Sequence, residues 1–411
     1  MASISTTATR DELAAEALQF LGDPTRRTDG APFLHRVRAV APLLRTEPGV
    51  WLVTRHADGV AILKDGQRWS RRPSSQQFVG VADPEVLQYH LDGRPTMNDG
   101  AEHRRLRNLA SAAFTPAAVR RWRTTIEEIA GRLLDDLEPR GSMNVTADLG
   151  YPFSQQVISF LLGVPYEDHV FWESAAERML PLMFGVLDEE GRQRAAEATF
   201  AWADYVRALA ARQREAPGDG LFSLIVNAEE DGSQLSDVEL VGFAHEIVTA
   251  GFETVANTTA LATLLLLRHP EQLARLREEP SAWPRAIEEV LRYLSPGWMT
   301  MPRTATEDVD VGGTTIPKGE TAIVVLDGVN RDPDVFADPD RFDAFREDNK
   351  HLSFSFGPHF CLGAGLARME LGTMLPMLFE RLPGLRLADE EVHWRQDATF
   401  LRVLDRLEVT W

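Results

Sequence analysis

The chain has 411 residues, 44% of them hydrophobic, and carries a formal net charge of −19. Such a charge repels phosphate backbones and disfavours nucleic acid as a partner. The single cysteine excludes an internal disulfide. The first residues lack the basic start and apolar run of a secretory signal, and no apolar run approaches the roughly 20 residues that span a bilayer. We therefore expect a cytoplasmic protein with no nucleic-acid or membrane partner.

Helical periodicity dominates the sequence, and no stretch has the composition of an interdomain linker. Helices are predicted near residues 102–113, 117–137, 152–163, 191–214, 236–268, 283–294 and 362–382. Short strand patterns occur at 50–55, within 309–326 and at the C-terminus. We expect a mainly α fold with small β-sheets, formed by one domain over residues 1–411 with a flexible segment over about residues 1–20.

The first helix with a chemical pattern contains "HRRLR" at 103–107. His103 and Arg107 are four residues apart and share a helix face, so both side chains can address one anionic group. The alternative is a solvated basic face, which is typical of arginine-rich helices. An arginine-rich surface is also predicted here, from Arg104, Arg105, Arg120, Arg121 and Arg123.

The long helix near 236–268 contains "TAGFETVANTT". Ala250 and Thr254 share one face with Ile247 and Thr258, and Gly251 leaves space beside that face. A polar stripe packed against other helices would explain Thr254 alone. It explains poorly why Glu253 stands beside Thr254 in an otherwise apolar helix.

The next helix contains "EEVLRY", in which Glu289 and Arg292 have an i, i+3 spacing. An ordinary surface ion pair with this spacing contributes only about 0.2–0.5 kcal/mol. The same spacing occurs at Glu102/Arg105 and Glu189/Arg192. The pair at Glu289 differs by its position between the long helix and the cysteine segment.

The only cysteine lies in "FSFGPHFCLG", where Phe354, Gly357, Cys361 and Gly363 give the pattern F-x-x-G-x-x-x-C-x-G before a helix. The N-terminus of a helix favours a thiolate, which is the metal-binding form of cysteine. A lone cysteine is otherwise a small buried apolar residue. A dinucleotide-binding loop is disfavoured because Arg368 replaces the third glycine, and a structural zinc site lacks further ligands.

The cysteine segment resembles the haem-ligand loop of the cytochrome P450 family, and the other motifs occur in that family's order from about residue 30 to the C-terminus. The chain resembles soluble, actinobacterial-type, ferredoxin-dependent haem-thiolate monooxygenases. The resemblance implies a triangular-prism fold, in which haem lies between the long distal helix and the proximal helix that follows the cysteine.

The resemblance also implies roles for the residues of these motifs. Cys361 would ligate the iron, and Phe354, Gly357 and Gly363 would shape the loop. The haem propionates would be bound by His103, Arg107, Arg303 and His359. The catalytic group would consist of Glu253 and Thr254, an acid–alcohol pair, with Ala250 and Gly251. A structural triad would consist of Glu289, Arg292 and Arg341. Substrate-pocket walls would come from Phe78, Val79, Leu87, Met97, Met179, Met183, Phe184, Val248, Trp298, Met299, Met301 and Phe400, although several of these can equally be core residues.

The implied function is a monooxygenase that uses haem b and O₂ to hydroxylate or epoxidise a fairly large, mostly apolar small molecule in secondary metabolism. Electrons would come from NAD(P)H through a separate ferredoxin and ferredoxin reductase, which dock on the arginine-rich surface, and the protein would be a monomer. Oxidative coupling, desaturation or cyclisation on the same haem is an alternative. A non-catalytic haem sensor or carrier is another, although the Glu253/Thr254 pair argues against it.

Overall fold

The structure is a computed structural model that describes residues 8–23, 25–26, 30–46, 49–72, 83–183, 187–229, 232–389, 391–395 and 400–411. It is mainly α-helical with small β-sheets, so the predicted fold class is confirmed. The predicted pocket residues Phe78, Val79 and Phe184 lie outside the described residues.

The helices run in chain order as follows: α1 (Arg10–Gly22), α2 (Ala31–Val40), α3 (His56–Lys64), α4 (Pro84–Leu91), α5 (Gly100–Ser111), α6 (Pro116–Arg121), α7 (Arg123–Leu137), α8 (Tyr151–Leu162), α9 (His169–Met179), α10 (Glu189–Glu215), α11 (Leu221–Val226), α12 (Asp237–Arg268), α13 (Pro270–Glu278), α14 (Trp283–Tyr293), α15 (Leu326–Val329) and α16 (Ala364–Arg381). The strands are β1 (Leu43–Thr46), β2 (Val50–Val53), β3 (Trp69–Ser70), β4 (Ser142–Asn144), β5 (Arg303–Ala305), β6 (Val309–Val311), β7 (Thr314–Ile316), β8 (Thr321–Val324), β9 (Arg386–Leu387), β10 (His393–Trp394), β11 (Leu404–Arg406) and β12 (Glu408–Thr410).

The largest sheet has the strand order β1-β2-β8-β5-β3. Strands β2 and β8 pair in parallel, with Trp51 opposite Ala322, and the other neighbours pair antiparallel. A three-stranded sheet has the order β4-β12-β9, and β6-β7 and β10-β11 are two-stranded. Strand β5 lies between β8 and β3, with Arg303 opposite Ala322 of β8 and Thr304 opposite Ser70 of β3.

Helix α12 passes through the main core and packs on α8, α10 and α16. It begins with a capping box, in which Ser236 accepts a hydrogen bond from the Glu239 backbone and the Glu239 carboxylate accepts one from Ser236. By length and composition α12 could span a membrane, but 72% of its most apolar 18-residue window is buried inside the protein. A central core helix has the same properties.

All seven predicted helical segments contain a helix in the structure, and Trp122 separates α6 from α7 within the second of them. The shorter helices α1 to α4, α9, α11, α13 and α15 were not predicted. The expected flexible segment over about residues 1–20 instead includes α1 from Arg10 onwards. Leu13, Ala17 and Phe20 of this helix are buried, so packing fixes residues that composition alone left undefined.

Candidate functional site

The cysteine segment is held by backbone contacts. The Cys361 N–H donates to the Phe354 carbonyl oxygen at 2.8 Å. Gly357 has a φ of +71°, and a Cβ there would lie 2.5 Å from the Leu63 carbonyl oxygen in α3. Gly363, just before α16, has no atom within 4 Å of an added Cβ among the described residues. One glycine is therefore required by the protein's own packing, whereas the other borders open space.

Cys361 is exposed, yet burial among protein atoms raises the pKa of its thiol. A hydrogen bond from the Gly363 backbone and the charges of Arg107 and Arg368 act to lower this pKa but do not outweigh burial. The backbone at the start of α16 acts in the expected direction and lowers this pKa, but in the chain by itself the cost of desolvating a thiolate is larger. Solvent thus reaches Cys361 although protein atoms surround its thiol, as is expected of a residue that lines a cavity.

One face of α12 interacts electrostatically with the same thiol. Most residues of this helix are buried, but Ala250 is exposed and Glu253 and Thr254 are half-buried. Glu246 lies one turn before Ala250, and its charge contributes to raising the pKa of Cys361, after the larger effect of burial. Glu246 also accepts a hydrogen bond from the Thr96 hydroxyl. The face that carries Glu246, Ala250 and Thr254 is thus the one directed towards the thiol.

The two catalytic candidates on this face have different hydrogen-bond partners. The Thr254 hydroxyl donates to the Ala250 carbonyl oxygen at 2.7 Å, which satisfies its proton inside the helix. Glu253 Oε1 lies 3.4 Å from the Tyr151 hydroxyl and 3.3 Å from Arg395 Nη1. The acid is therefore anchored to α8 and to the segment after β10, while the alcohol stays on its own helix.

Gly251 does not provide the open space that the sequence suggested. A Cβ at this position would lie 2.6 Å from Ile158 Cδ1 of α8. The missing side chain lets α8 pack closely on α12, and this close packing also brings Tyr151 of α8 to Glu253.

Beside the cysteine segment lies a cluster of buried basic residues. The rings of His103 and His359 are 4.0 Å apart, and His359 Nε2 lies 3.7 Å from Asp99 Oδ1. Burial lowers the pKa of His103 to about 4 and that of His359 to about 3, with Arg107 or Arg71 adding to the effect. Both imidazoles are thus neutral at pH 7 and can act as hydrogen-bond donors without adding charge.

The arginines of this cluster carry its positive charge. Arg303 and Arg71 are 2% and 8% exposed. Within the part of the chain that the structure describes, Nη2 of each is buried without a hydrogen-bond partner. Burial lowers the pKa of Arg71 to about 10, which still leaves it charged at pH 7. Arg107, by contrast, donates from Nη2 to the Phe360 carbonyl oxygen at 2.7 Å.

These observations fit the haem that the sequence implies. Buried guanidinium groups without partners are costly unless an anion satisfies them. A flat group with two carboxylates would supply that anion, would border Gly363 and would bring its centre to Cys361. Arg71 was missed by sequence reasoning, because "SRRPSS" offers no motif, and only the strand pairing of β3 with β5 brings it near Arg303.

The predicted triad needs one correction. Glu289 and Arg292 are fully buried and form a bidentate pair with both N–O distances at 2.7 Å. The third side chain is Arg346, whose Nε donates to Glu289 Oε2 at 3.0 Å. Arg341 is exposed and contributes only its carbonyl oxygen, 3.2 Å from Arg292 Nη2. The chain reverses after Arg341, so a residue five positions later reaches the carboxylate.

The Met183 side chain lies outside the described part of the structure, and the other predicted pocket residues differ in burial. Met97, Met179 and Val248 are buried, and Leu87, Met301 and Phe400 are half-buried. Trp298 and Met299 belong to a small core with α1 and α2, where the Trp298 ring lies 5.7 Å from Phe20. This packing favours the core interpretation for Trp298.

A family model described as "Cytochrome P450" matches residues 71–282 and 283–393. Nocardicin C N-oxygenase from Nocardia uniformis subsp. tsuyamanensis is 39% identical over 398 residues, covering 95% of this chain and 97% of the relative. Polyketide biosynthesis cytochrome P450 PksS from Bacillus subtilis (strain 168) is 35% identical over 364 residues, covering 88% of each.

Solved structures give the same result for the fold. The crystal structure of CalO2 matches with a TM-score of 0.88 and 31% identity, covering 95% of this chain and 97% of that one. P450BioI, crystallised in complex with hexadec-9Z-enoic acid ligated acyl carrier protein, matches with a TM-score of 0.86 and 33% identity, covering 94% and 100%.

Proposed function

The chain belongs to the cytochrome P450 family, and from this premise we propose that it oxidises a fairly large, mostly apolar small molecule by hydroxylation or epoxidation. The observation that supports this proposal is the acid–alcohol pair Glu253/Thr254 on α12, the helix whose Glu246 acts electrostatically on Cys361. The names of the relatives, which refer to nocardicin and to polyketide biosynthesis, favour a tailoring step in secondary metabolism.

The enzyme uses haem b and O₂, with electrons from NAD(P)H delivered by separate redox proteins. A thiolate-ligated haem supplies the oxygen-activating chemistry. In our proposal, Cys361 holds the iron, and Arg71, Arg303, Arg107, His103 and His359 hold the propionates. The imidazoles would donate hydrogen bonds there, and the arginines would balance the charge of the dianion.

On the other side of the cavity, the residues of α12 handle protons. Glu253, half-buried, can exchange protons with solvent, and the Thr254 hydroxyl can relay a proton from the acid to the cavity. Thr254 donates to its own helix in the resting arrangement, so its oxygen remains available as an acceptor for the incoming proton donor.

We further propose that the electron donor is a ferredoxin, served by a ferredoxin reductase. Arg107 bonds to the Phe360 carbonyl, which ties α5 to the cysteine segment. Phe356 and Phe360 there are 39% and 40% exposed, and Arg104 is exposed on α5. An apolar patch with neighbouring positive charge suits an acidic redox protein.

Of the five arginines expected in this surface, Arg105 is engaged by Glu102 and Glu239. Arg120 and Arg121 are exposed, and Arg123 lies 3.5 Å from Glu127. We expect R104E/R120E to slow reduction by a ferredoxin at low salt without changing ligand-induced spectra. R194E, which reverses an exposed arginine on α10, is the control. Equal reduction rates in both variants would rule out this docking surface.

We also propose a cytoplasmic monomer with one domain over residues 1–411. One continuous buried cluster includes residues from Tyr89 to Val409, which supports the single domain. Size-exclusion chromatography with light scattering tests the oligomeric state, and a dimer at micromolar concentration would contradict it.

The test of the function itself is a screen of the haem-loaded protein for ligands that convert the haem from low to high spin. Each such ligand is then incubated with NAD(P)H and a surrogate ferredoxin system, followed by mass analysis. A gain of one oxygen supports hydroxylation or epoxidation. A loss of two hydrogens supports coupling, desaturation or cyclisation instead. Absence of NAD(P)H turnover with every spin-shifting ligand would support a sensor or carrier.

A further inference from the structure

Glu246 is an acidic residue on the face of α12 that also carries Ala250 and Thr254. It lies four residues before Ala250 and eight before Thr254, so the three side chains follow one another along the same side of the helix. Ala250 is exposed although most of the helix around it is buried, and open space therefore adjoins this face. A carboxylate thus stands on the side of α12 that would meet a substrate.

The carboxylate of Glu246 has a neutral partner. The Thr96 hydroxyl, in the short helical turn Pro95–Met97, donates a hydrogen bond to Glu246 Oε1. Within the ranges that the structure describes, no arginine, lysine or histidine forms an ion pair with Glu246. Glu246 is half-buried, and the neighbouring Met97 is buried. A carboxylate with one hydroxyl donor keeps several acceptor positions for a further donor or a cation.

The charge of Glu246 acts on groups of the proposed cofactor site. Burial raises the pKa of Cys361, and the charge of Glu246 adds to this effect. Burial lowers the pKa of Arg71, Arg94 and Arg107, and the same charge acts in the opposite direction on each of them. Because the carboxylate disfavours the thiolate form of Cys361, binding of the iron does not explain why an acid stands here.

Long-range balancing of Arg71 and Arg94 is the structural alternative for Glu246. These two arginines are 8% and 3% exposed, but neither forms an ion pair with Glu246 among the described residues. A buried acid that serves the fold is typically in contact with its cation, as Glu289 is with Arg292 at 2.7 Å. The geometry therefore favours a cation that comes from outside the chain.

We propose that Glu246 is a specificity-determining residue that binds a cationic nitrogen of the substrate; this inference rests on the proposed monooxygenase function. The substrate class is then a mostly apolar molecule that carries one protonated or quaternary amine. Thr96 holds the carboxylate in place, and the adaptable Met97 side chain contacts the apolar part. The formal net charge of −19 favours the approach of cations over that of anions. A nitrogen held one helical turn from Ala250 orients the substrate for reaction.

The test measures the affinities of three ligands with the same decyl chain for the haem-loaded protein by isothermal titration calorimetry. Decyltrimethylammonium is cationic and has no lone pair with which to ligate iron, decanol is neutral, and decanoate is anionic. The variants are E246Q, E246D and the control D237N. Asp237 lies in the first turn of the same helix with its side chain 63% exposed, so D237N controls for the change in net charge.

We expect the unmodified protein to bind decyltrimethylammonium most tightly and decanoate most weakly. E246Q should weaken the binding of the cation about 10-fold, as expected for loss of a partly desolvated charge pair, with little change for decanol. D237N should keep the original ranking, and E246D should keep the preference for the cation because the charge remains. An equal loss for all three ligands in E246Q would overturn the proposal in favour of a structural role. Equal affinities of the unmodified protein for decanol and decyltrimethylammonium would also overturn it, even if E246Q did not fold.

A turnover measurement separates this inference from the proposed function. Cationic and neutral ligands that shift the spin state of the haem are supplied with NAD(P)H and the surrogate ferredoxin system. If neutral ligands are oxidised and the preference for the cation is absent, the function stands and the role of Glu246 fails. If the preference is present and depends on Glu246, but no ligand is oxidised, the cation-binding role stands and the proposed function fails.

Discussion

Two regions of the molecule bury charge, and they do so in opposite ways. Around Glu289, the carboxylate accepts hydrogen bonds from Arg292, Arg346 and Asn349 and from the Asp343 backbone. Arg292 also donates to the carbonyl oxygens of residues 330, 339 and 341. In the basic cluster, Arg71 and Arg303 are buried nearly as completely, yet each keeps one unsatisfied nitrogen among the described residues.

The difference separates a structural site from a ligand site. A buried charge network stabilises a fold only when its members satisfy one another, whereas a cluster left unsatisfied is costly unless a ligand completes it. The charged groups of the Glu289 network satisfy one another, although Oδ1 of Asn349 has no hydrogen-bond partner among the described residues. The network joins α14 to the irregular segment before the cysteine. The Arg71/Arg303 cluster has buried nitrogen atoms that an anionic ligand would satisfy, which is the property expected of a cofactor site.

The largest effect is expected from C361S, which removes the proposed iron ligand beside the Arg71/Arg303 cluster and leaves the Glu289 network intact. The reduced protein with CO should lose its red-shifted absorption band, and monooxygenase activity should fall below detection, because a hydroxyl does not replace the thiolate. Urea unfolding of the haem-free protein should hardly change. Retention of the red-shifted band in C361S would refute the ligand assignment.

The comparison also shows what the sequence could and could not reveal. Cys361, His103 and Glu289 stand in short motifs whose spacing fixes local geometry, so their segments were predictable. Arg71, Arg346 and Arg395 act through long-range contacts, because strand pairing, a chain reversal and sheet packing bring them to their partners. No local spacing records such contacts.

Gly251 and Cys361 show a different limit of sequence reasoning. The residue types were identified, but their environments were not, because close packing of α8 and desolvation of the thiol depend on the whole fold. Helix α1 was not predicted for the same reason, because its Leu13, Ala17 and Phe20 pack against residues distant in sequence.

The second-largest effect is expected for the Glu289 network. E289Q should destabilise the protein by about 3–5 kcal/mol, because it leaves the buried guanidinium of Arg292 without its counter-ion. Urea unfolding followed by tryptophan fluorescence measures the change. R341A is the matched control in the same segment, and it should stay within about 0.5 kcal/mol because its side chain is exposed. Equal losses in E289Q and R341A would contradict the assignment of Arg346 as the third member.

Substitution of Arg71 in the Arg71/Arg303 cluster should weaken haem binding, but it should not destabilise the haem-free protein. R71Q should weaken haem retention about 10- to 100-fold, the range for a lost charged hydrogen bond, measured by haem transfer to apomyoglobin. The haem-free R71Q protein should be as stable as the unmodified one or more stable, because a buried unpaired charge is gone. R72Q, the exposed neighbour that pairs with Asp92, is the control. Unchanged haem transfer in R71Q would remove Arg71 from the propionate site.

Glu370 shows a third way to bury an acid, which is to neutralise it. Burial raises the pKa of this carboxyl in α16 to about 8. The folded state therefore binds a proton that the unfolded state has released between pH 4.5 and 8, so stability falls as pH rises through this window. From pH 6.5 to 8 the loss should be on the order of 2 kcal/mol, and E370Q should abolish it. The same pH dependence in E370Q would assign the titration to another group.

The smallest change in stability is expected for the Glu189/Arg192 pair, which has the same sequence spacing as Glu289/Arg292. Glu189 and Arg192 repeat the spacing of Glu289 and Arg292, with an N–O distance of 2.5 Å, but the Glu189 side chain is 88% exposed. E189Q should therefore change the free energy of unfolding by no more than about 0.5 kcal/mol, because water replaces the lost partner. A loss close to that of E289Q would mean that spacing decides the energy of the pair. The expected difference of several kcal/mol would mean that burial decides the energy of the pair. E189Q leaves the charge of Arg192 in water, whereas E289Q leaves the charge of Arg292 in the core.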